Sequence, residues 1–185
     1  MTPALETARL ILRPLELADA EQAQKLFAHW EIVKYLATTV PWPYPPDGSL
    51  AYFRDIALPA IARGEQWTWT LRLKTNPEQM IGLITLQKGT GFNRGFWMGL
   101  AWQGQGLMTE AVERVTDYWF NELGESVLRV PKAIENTASR RISEKSGMRV
   151  VGTEERDYVG GRFLSEIWEI TAEEWRARGG ASDIV

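Results

Sequence analysis

Gly95-Phe96-Trp97-Met98-Gly99-Leu100-Ala101-Trp102-Gln103-Gly104-Gln105-Gly106-Leu107-Met108-Thr109-Glu110-Ala111 changes character twice along its length. It opens as an apolar strand and narrows to a turn with glycines two apart. It then takes up helical spacing through Leu107, Ala111, Val112, Val115, Tyr118 and Trp119. Glycine lets the backbone approach a ligand closely and aim successive N–H groups at it. A helix start adds N–H donors without intrahelical acceptors and the positive end of the helix dipole. Together they make an anion site of the size of a pyrophosphate. A tight strand-to-helix turn without any ligand has the same spacing. Two nucleotide motifs are excluded: no Gly-Lys-Ser/Thr follows, as a P-loop requires, and the third glycine of a dinucleotide fingerprint is missing.

Upstream, Gln66 to Lys74 alternates Trp67, Trp69, Leu71 and Leu73 with Thr68, Thr70, Arg72 and Lys74, the period of a strand. With Met80–Gln87 and Arg94–Leu100 it forms a three-stranded, antiparallel meander turned at Asn76-Pro77 and at Gly89 to Gly91. Ala8–Leu15 reads as an earlier strand. Glu16 and Asp19 load the first turn of a helix reaching about His29, where acids meet the positive dipole end. Asp47 or Ser49 caps a second helix carrying Leu50, Phe53, Ile56, Ala60 and Ile61, and Pro59 predicts a kink or stop inside it. Downstream, the helix begun at Leu107 ends near Gly124. Val127–Val130 is a strand and Thr137–Ser146 a helix stopped at Gly147. Strands follow at Met148–Gly152 and Glu166–Ile170, and Thr171 caps a last helix. The expectation is one α/β domain over residues 1–178 with mixed strand pairing, followed by a tail at 179–185.

Composition narrows the chemistry. The chain has 185 residues, no cysteine and a single histidine, which removes thiol catalysis, cysteine-containing zinc sites and two-histidine metal sites. No metal is expected. A net charge of −3 with a pI near 5.4 lacks the basic face of a nucleic-acid binder. No apolar run reaches the ~18 residues of a membrane span, and no signal sequence opens the chain. These features predict a cytoplasmic protein without nucleic-acid or membrane partners, a monomer or a homodimer. His29, near a helix end, reads as a favourable terminal charge.

The glycine turn resembles that of the GNAT superfamily of acetyl-CoA-dependent N-acetyltransferases, [Gln/Arg]-x-x-Gly-x-[Gly/Ala]. The match is closer to its Rim-type branch, whose members acetylate N-termini of ribosomal proteins and read Gly-Tyr-Trp-Leu…Trp-Gly-x-Gly-x-x-Thr-Glu-Ala. Arg9-Leu10-Ile11-Leu12-Arg13-Pro14 resembles the branch's first strand, and Pro41-Trp42-Pro43-Tyr44 its acceptor-side loop. Glu135-Asn136-Thr137-Ala138-Ser139 with Glu144-Lys145-Ser146-Gly147-Met148 resembles its Asn-x-x-Ser helix and the strand start that follows. The four motifs stand in the family's order from about Arg9 to Trp175. The resemblance implies an α/β (α+β) fold: a mixed, mostly antiparallel central sheet of six to seven strands with helices on both faces.

It also implies acetyl-CoA as co-substrate. The backbone N–H groups around Gln103, Gly104, Gln105, Gly106 and Leu107 would cradle the pyrophosphate. Met98, Gly99 and Leu100 would hold the pantetheine arm and acetyl carbonyl at a splay between strands, with Asn136 and Ser139 near the pantetheine and the sulfur. Three positions depart from the pattern: Ala101 replaces the Gln/Arg of the turn, Pro59 falls within the second helix, where it would reshape the acceptor wall, and Asn93 stands where the branch usually has glutamate. An amide is no general base.

An α-amine of pKa near 7.7–8.0 is neutral roughly 10–17% of the time at pH 7, a lysine near 10.4 only about 0.04%. The expected acceptor is therefore an α-amine, on a protein N-terminus or a small molecule. Ser139, implied by the resemblance, and Tyr158, by its phenol, are the candidate proton donors; Ser139 could instead bond its own helix. Glu166 and Asp157 are the candidate bases, each readable as a solvated edge residue or ion-pair partner. Trp42 and Tyr44 are placed at the acceptor side, although a loop tryptophan equally plugs the core beneath it. Three other readings remain: an acetyltransferase for free amino acids, polyamines or drug amines, an acyl-CoA-binding sensor without turnover, and a nucleotide-binding domain.

Overall fold

The computed structural model describes residues 1–89 and 91–179. The turn expected at Gly89 to Gly91 therefore contains one residue, Thr90, outside the described residues, as does the tail from 180 onward. The first sheet has strand order β1-β2-β3-β4-β5, formed by β1 (Leu5–Glu6), β2 (Leu10–Pro14), β3 (Gln66–Leu73), β4 (Asn76–Gln87) and β5 (Arg94–Met98). The second has order β6-β8-β7, with β6 (Val127–Ala133), β7 (Arg149–Tyr158) and β8 (Gly161–Thr171). Every ladder pair is antiparallel. The two-residue β1 is the strand the sequence did not announce, and β4 begins at Asn76, so the turn precedes the Asn-Pro pair.

No ladder joins β5 to β6. They meet at one junction, Asn93, and diverge beyond it. The Asn93 N–H donates to the Arg129 carbonyl at 2.8 Å and the Arg129 N–H to Asn93 Oδ1 at 2.9 Å. Asn93 Nδ2 donates to the carbonyls of Gln87 and Gly89, each at 3.2 Å. A short side chain with both a donor and an acceptor is what this buried junction uses. The anomaly at position 93 is thus a structural pin between two sheets.

The helix α5 (Leu107–Asp117) holds the sheets together from one side. Its Leu107, Ala111, Val112 and Val115 are buried in a core with Leu10, Trp69, Leu71, Ile84, Leu128, Val130 and Ile170 from both sheets. Trp67, Trp69 and Trp119 are buried there too, as their spacing predicts. On the opposite side lie α1 (Ala20–Phe27), α2 (Trp30–Val33), α3 (Gly48–Tyr52) and α4 (Leu58–Ala62). They bury the polar face of β3 as well: Thr68 hydroxyl contacts Thr85 hydroxyl at 3.1 Å, and Arg72 pairs with Asp19 at 2.7 Å. Asp19 also accepts the Glu16 N–H and an Arg13 N–H. Its main office is therefore a buried ion cluster rather than a helix-dipole contact.

Pro59 kinks its helix in a specific way. Between α3 and α4 the chain widens into a π turn at Phe53–Ala57, just before the proline. In a regular helix the Pro59 ring would collide with the Asp55 carbonyl, and the wider turn relieves that contact. Pro131 lies inside β6, a strand longer than its apolar core suggested. An edge strand tolerates the missing N–H, and this edge borders the gap between the sheets. The chain closes with α6 (Thr137–Lys145) before β7 and α7 (Ala172–Ala177) after β8. Thr171 and Glu174 form a capping box on α7. Among the described residues no helix is long and apolar enough to cross a membrane.

Candidate active site

The gap between the diverging sheets is a cleft of about 790 Å³. One wall is β5 with the start of α5, including Phe96, Trp97, Met98, Gln103, Gly104, Gly106 and Leu107. The other is β6 with α6, including Pro131, Lys132, Asn136 and Ser139. The mouth is rimmed by the segment after α2 and by the end of β7. That segment is fastened to the β7–β8 hairpin by the Val159 N–H to the Leu36 carbonyl at 3.0 Å and the Gly160 N–H to the Lys34 carbonyl at 2.9 Å. A Cβ at Gly160 would stand 2.7 Å from the Lys34 carbonyl oxygen, so only glycine allows this approach.

The glycine turn lines the cleft with Gly104 and Gly106. Gly104 has φ +74° and Gly106 φ +76°, in the left-handed region where a side chain is strained. Gly106 caps α5, and the N–H groups of its first turn have no helical acceptors. Arg9 and Glu110 hold the turn in place. Arg9 Nη1 donates to the Gln105 carbonyl at 3.0 Å and Arg9 Nε to Glu110 Oε2 at 2.7 Å. The Arg9 N–H and the Thr7 hydroxyl both donate to Glu110 Oε1. Burial pushes the Glu110 carboxyl up, but the hydrogen bonds from Thr7 and Arg9 together outweigh it and hold the group below its ordinary value. The Glu of the Thr-Glu-Ala run is therefore a strap from α5 to the start of β2.

Not every expected donor-site residue faces the cleft. Met98, Gln103, Gly104, Gly106, Leu107, Asn136 and Ser139 line it, whereas Gly99, Leu100 and Gln105 are not among the lining residues. The Gly99 N–H is already given to the Ile81 carbonyl at 2.8 Å, and the Met98 carbonyl accepts from the Gln103 side chain at 2.9 Å. Asn136 caps α6, its side-chain oxygen accepting the Ser139 N–H at 3.3 Å.

On the β6–α6 wall Lys132 Nζ donates to Ser139 Oγ at 2.5 Å and lies 4.9 Å from the Phe96 ring centroid. Lys132 is 7% exposed and Arg94, also on the cleft, 2%. Among the described residues neither has a carboxylate at ion-pair distance. Burial, reinforced by the charge of Arg94, drives the Lys132 ammonium well below its usual value. Burial likewise lowers the Arg94 guanidinium to about 10, with Glu113 acting in the other direction. Sequence reasoning missed Lys132 because β6 was expected to end at Val130, and Arg94 because nothing in the alternation of its strand marks a charged residue as buried.

The other candidates are scattered. The Tyr158 hydroxyl lies 2.7 Å from Ser165 Oγ, and Tyr158 is buried on the cleft. Asp157 reaches the rim. Glu166 is not among the lining residues: Arg140 grips its carboxylate with two bonds of 2.8 and 2.9 Å, and Trp168 Nε1 adds a third at 3.1 Å. Trp42 lies against Trp30, ring centroids 5.5 Å apart, outside the cleft lining. Tyr44 packs edge-on to Phe27 at 4.9 Å and touches Ser49 Oγ at 3.2 Å. His29 is exposed and begins α2 rather than ending α1.

Residues 9–149 match the family model described as the acetyltransferase (GNAT) domain. The chain belongs to the GNAT acetyltransferase family. No curated protein sequence matches this acetyltransferase, but solved structures share its fold. A GNAT-family acetyltransferase from Bacillus anthracis superposes with a TM-score of 0.78 at 19% identity, over 92% of this chain and 99% of that one. Mycobacterium smegmatis RimJ, in complex with a CoA-disulfide, gives 0.75 at 18% over 97% and 98%. Vibrio cholerae spermidine N-acetyltransferase, with CoA and spermine, gives 0.73 at 20% over 90% and 98%. Their names bracket the acceptor problem, one a Rim protein and one acting on a polyamine.

Proposed function

We propose that this acetyltransferase moves the acetyl group of acetyl-CoA to a primary α-amine, by direct attack of the amine on the thioester. One observation carries the reading: the left-handed glycine turn and the first turn of α5 open on the same cleft as Ser139. Unpaired N–H groups suit a pyrophosphate, and Arg141 and Lys145 of α6 add cationic lining. A thioester lying along β5 would bring its sulfur to the β6–α6 wall. The non-catalytic reading drew on Asn93, which the sheet junction accounts for.

In the reaction acetyl-CoA supplies an activated acyl group on a sulfur leaving group. The protein's part is to hold it, to admit a neutral amine from the rim, and to give the departing sulfur a proton. Ser139, whose Oγ accepts from Lys132, has its hydroxyl hydrogen available for that donation. Glu166 is committed to Arg140, and the carboxylates lining the cleft among the described residues, Glu31, Glu135 and Asp157, are exposed. Without a buried base the amine arrives neutral by its own pKa, which favours α-amines by several hundredfold over lysines.

The test is a panel of Ala-Ala-Ala and Ser-Ala-Ala with free N-termini, an N-acetylated lysine tripeptide, and spermidine. The free N-termini turn over at pH 7 and the lysine peptide does not. Faster turnover of the lysine peptide or of spermidine contradicts the α-amine assignment.

A further inference from the structure

We propose that Lys132 is the positioning residue of a Lys132–Ser139 pair, orienting the serine hydroxyl into the cleft and replacing the proton it gives up. The inference rests on the acetyl-CoA reading above and names a residue outside the recognised motifs.

Three observations carry it. The first is direction. Lys132 Nζ donates to Ser139 Oγ at 2.5 Å, so one lone pair of that oxygen is taken and its own hydrogen points elsewhere. No hydrogen bond from Ser139 Oγ to the preceding turn of α6 occurs among the described residues. The second is the lack of a counter-charge. The cross-strand neighbour of Lys132 in the ladder is Glu166, whose two oxygens are held by Arg140. The nearest charge from β5 is Arg94, of the same sign, whose Nε has no partner. The third is cost. A buried ammonium without an anion lowers stability, and an apolar side chain of the same length would fill the space more favourably. Such a group is retained where it meets a ligand or a reaction.

Its surroundings also make Lys132 a useful acid. Desolvation and Arg94 both favour loss of its proton. A lowered ammonium pKa makes Lys132 a readier acid toward the serine oxygen than a free lysine. The amine lone pair forms the new C–N bond to the acetyl carbon, and the C–S bond breaks with its electron pair on sulfur. Ser139 passes its hydroxyl proton to sulfur and takes one from Lys132. The newly formed amide nitrogen releases its extra proton to solvent, and solvent restores the Lys132 proton. The balance is amine plus thioester to amide plus thiol.

Lys132→Met, Ser139→Ala and the double variant are assayed with the tripeptide that wild type turns over fastest, and melted with and without acetyl-CoA. The expected result is a fall in kcat of at least about 100-fold for either single variant. The KM for acetyl-CoA and its melting shift are unchanged, and the double variant loses no more than the worse single. Lys132→Met also melts no lower than wild type, which a merely structural lysine would not allow. Should Lys132→Met fail to fold, Lys132→Gln is measured in the same way. Unchanged kcat, or losses that multiply in the double variant, overturns the pair. Acetylated Ser139 detected by mass spectrometry without acceptor overturns the donor role by making the serine a nucleophile. If acetyl-CoA stabilises none of the proteins, the donor reading falls, and the pair with it.

Discussion

The two walls of the cleft are made of different material. On the β5–α5 wall the binding groups are backbone: Gly104 and Gly106 turn the chain, and the N–H groups at the start of α5 face a ligand whatever side chains they carry. On the β6–α6 wall the chemistry lies in the side chains of Lys132 and Ser139, with Arg94 reaching the cleft from β5. A backbone site tolerates substitution except at its glycines, so Ala101 in place of Gln or Arg is expected to cost little. A side-chain site depends on identity and on what each group is denied. Lys132 matters because Glu166 is already spoken for.

The junction that sets the walls apart gives the largest expected effect. Asn93→Glu, which restores the branch's usual residue, cannot donate to the Gln87 and Gly89 carbonyls and buries a charge. It should cost about 2–4 kcal/mol, measured by urea unfolding, with no gain in kcat. An active, stable Asn93→Glu variant would show that position 93 is a lost base and not a pin.

Next comes the backbone wall. Gly106→Val places a β-branched residue at φ +76° and should lose about 1–2 kcal/mol of stability. Its KM for acetyl-CoA should rise at least tenfold with kcat held within about threefold, the reverse of the pattern for Ser139→Ala. Equal effects from both variants would erase the distinction between the walls.

The Glu110 strap is smaller and depends on pH. Its carboxyl is held below the ordinary value of 4.5, so its stabilisation is complete above that value and is lost as pH falls from there through the lowered folded-state value. Glu110→Gln should be less stable than wild type by about 1 kcal/mol at pH 7, and the gap in melting temperature should close below pH 4.5. A gap constant down to pH 3 would mean the carboxylate charge is irrelevant to the strap. Trp42→Ala should do least. It leaves the cleft lining intact, so the KM for acetyl-CoA should stay within about twofold.

How much of this was legible follows the same division. Spacing exposed the glycine turn, the meander from Gln66 to Met98 and the helix from Leu107, because periodicity and glycine are local signals. The Asn-x-x-Ser run placed Ser139 at the head of α6. Lys132 was not legible: the strand read from the apolar run stops at Val130, and only the sheet order shows that β6 is an edge where Pro131 fits and the strand continues. Asp19 read as a helix-start acid because its partner Arg72 lies in another strand. Asn93 read as a missing base because its side chain bonds backbone atoms of Gln87, Gly89 and Arg129 that no spacing rule connects. Tyr44 read as an acceptor contact, yet its ring fills the space between Phe27 and Gly48.

The most direct test of the cleft as an acetyl-CoA site is a thermal melt of the wild-type protein with acetyl-CoA at 100 times its dissociation constant, with ATP and NAD as controls. Such a ligand adds about 2.7 kcal/mol, and a chain of this size gains about 2–4 °C per kcal/mol. A rise of roughly 5–11 °C with acetyl-CoA, and none with ATP or NAD, is the predicted result. An unchanged midpoint, or the same rise with ATP, would contradict the account.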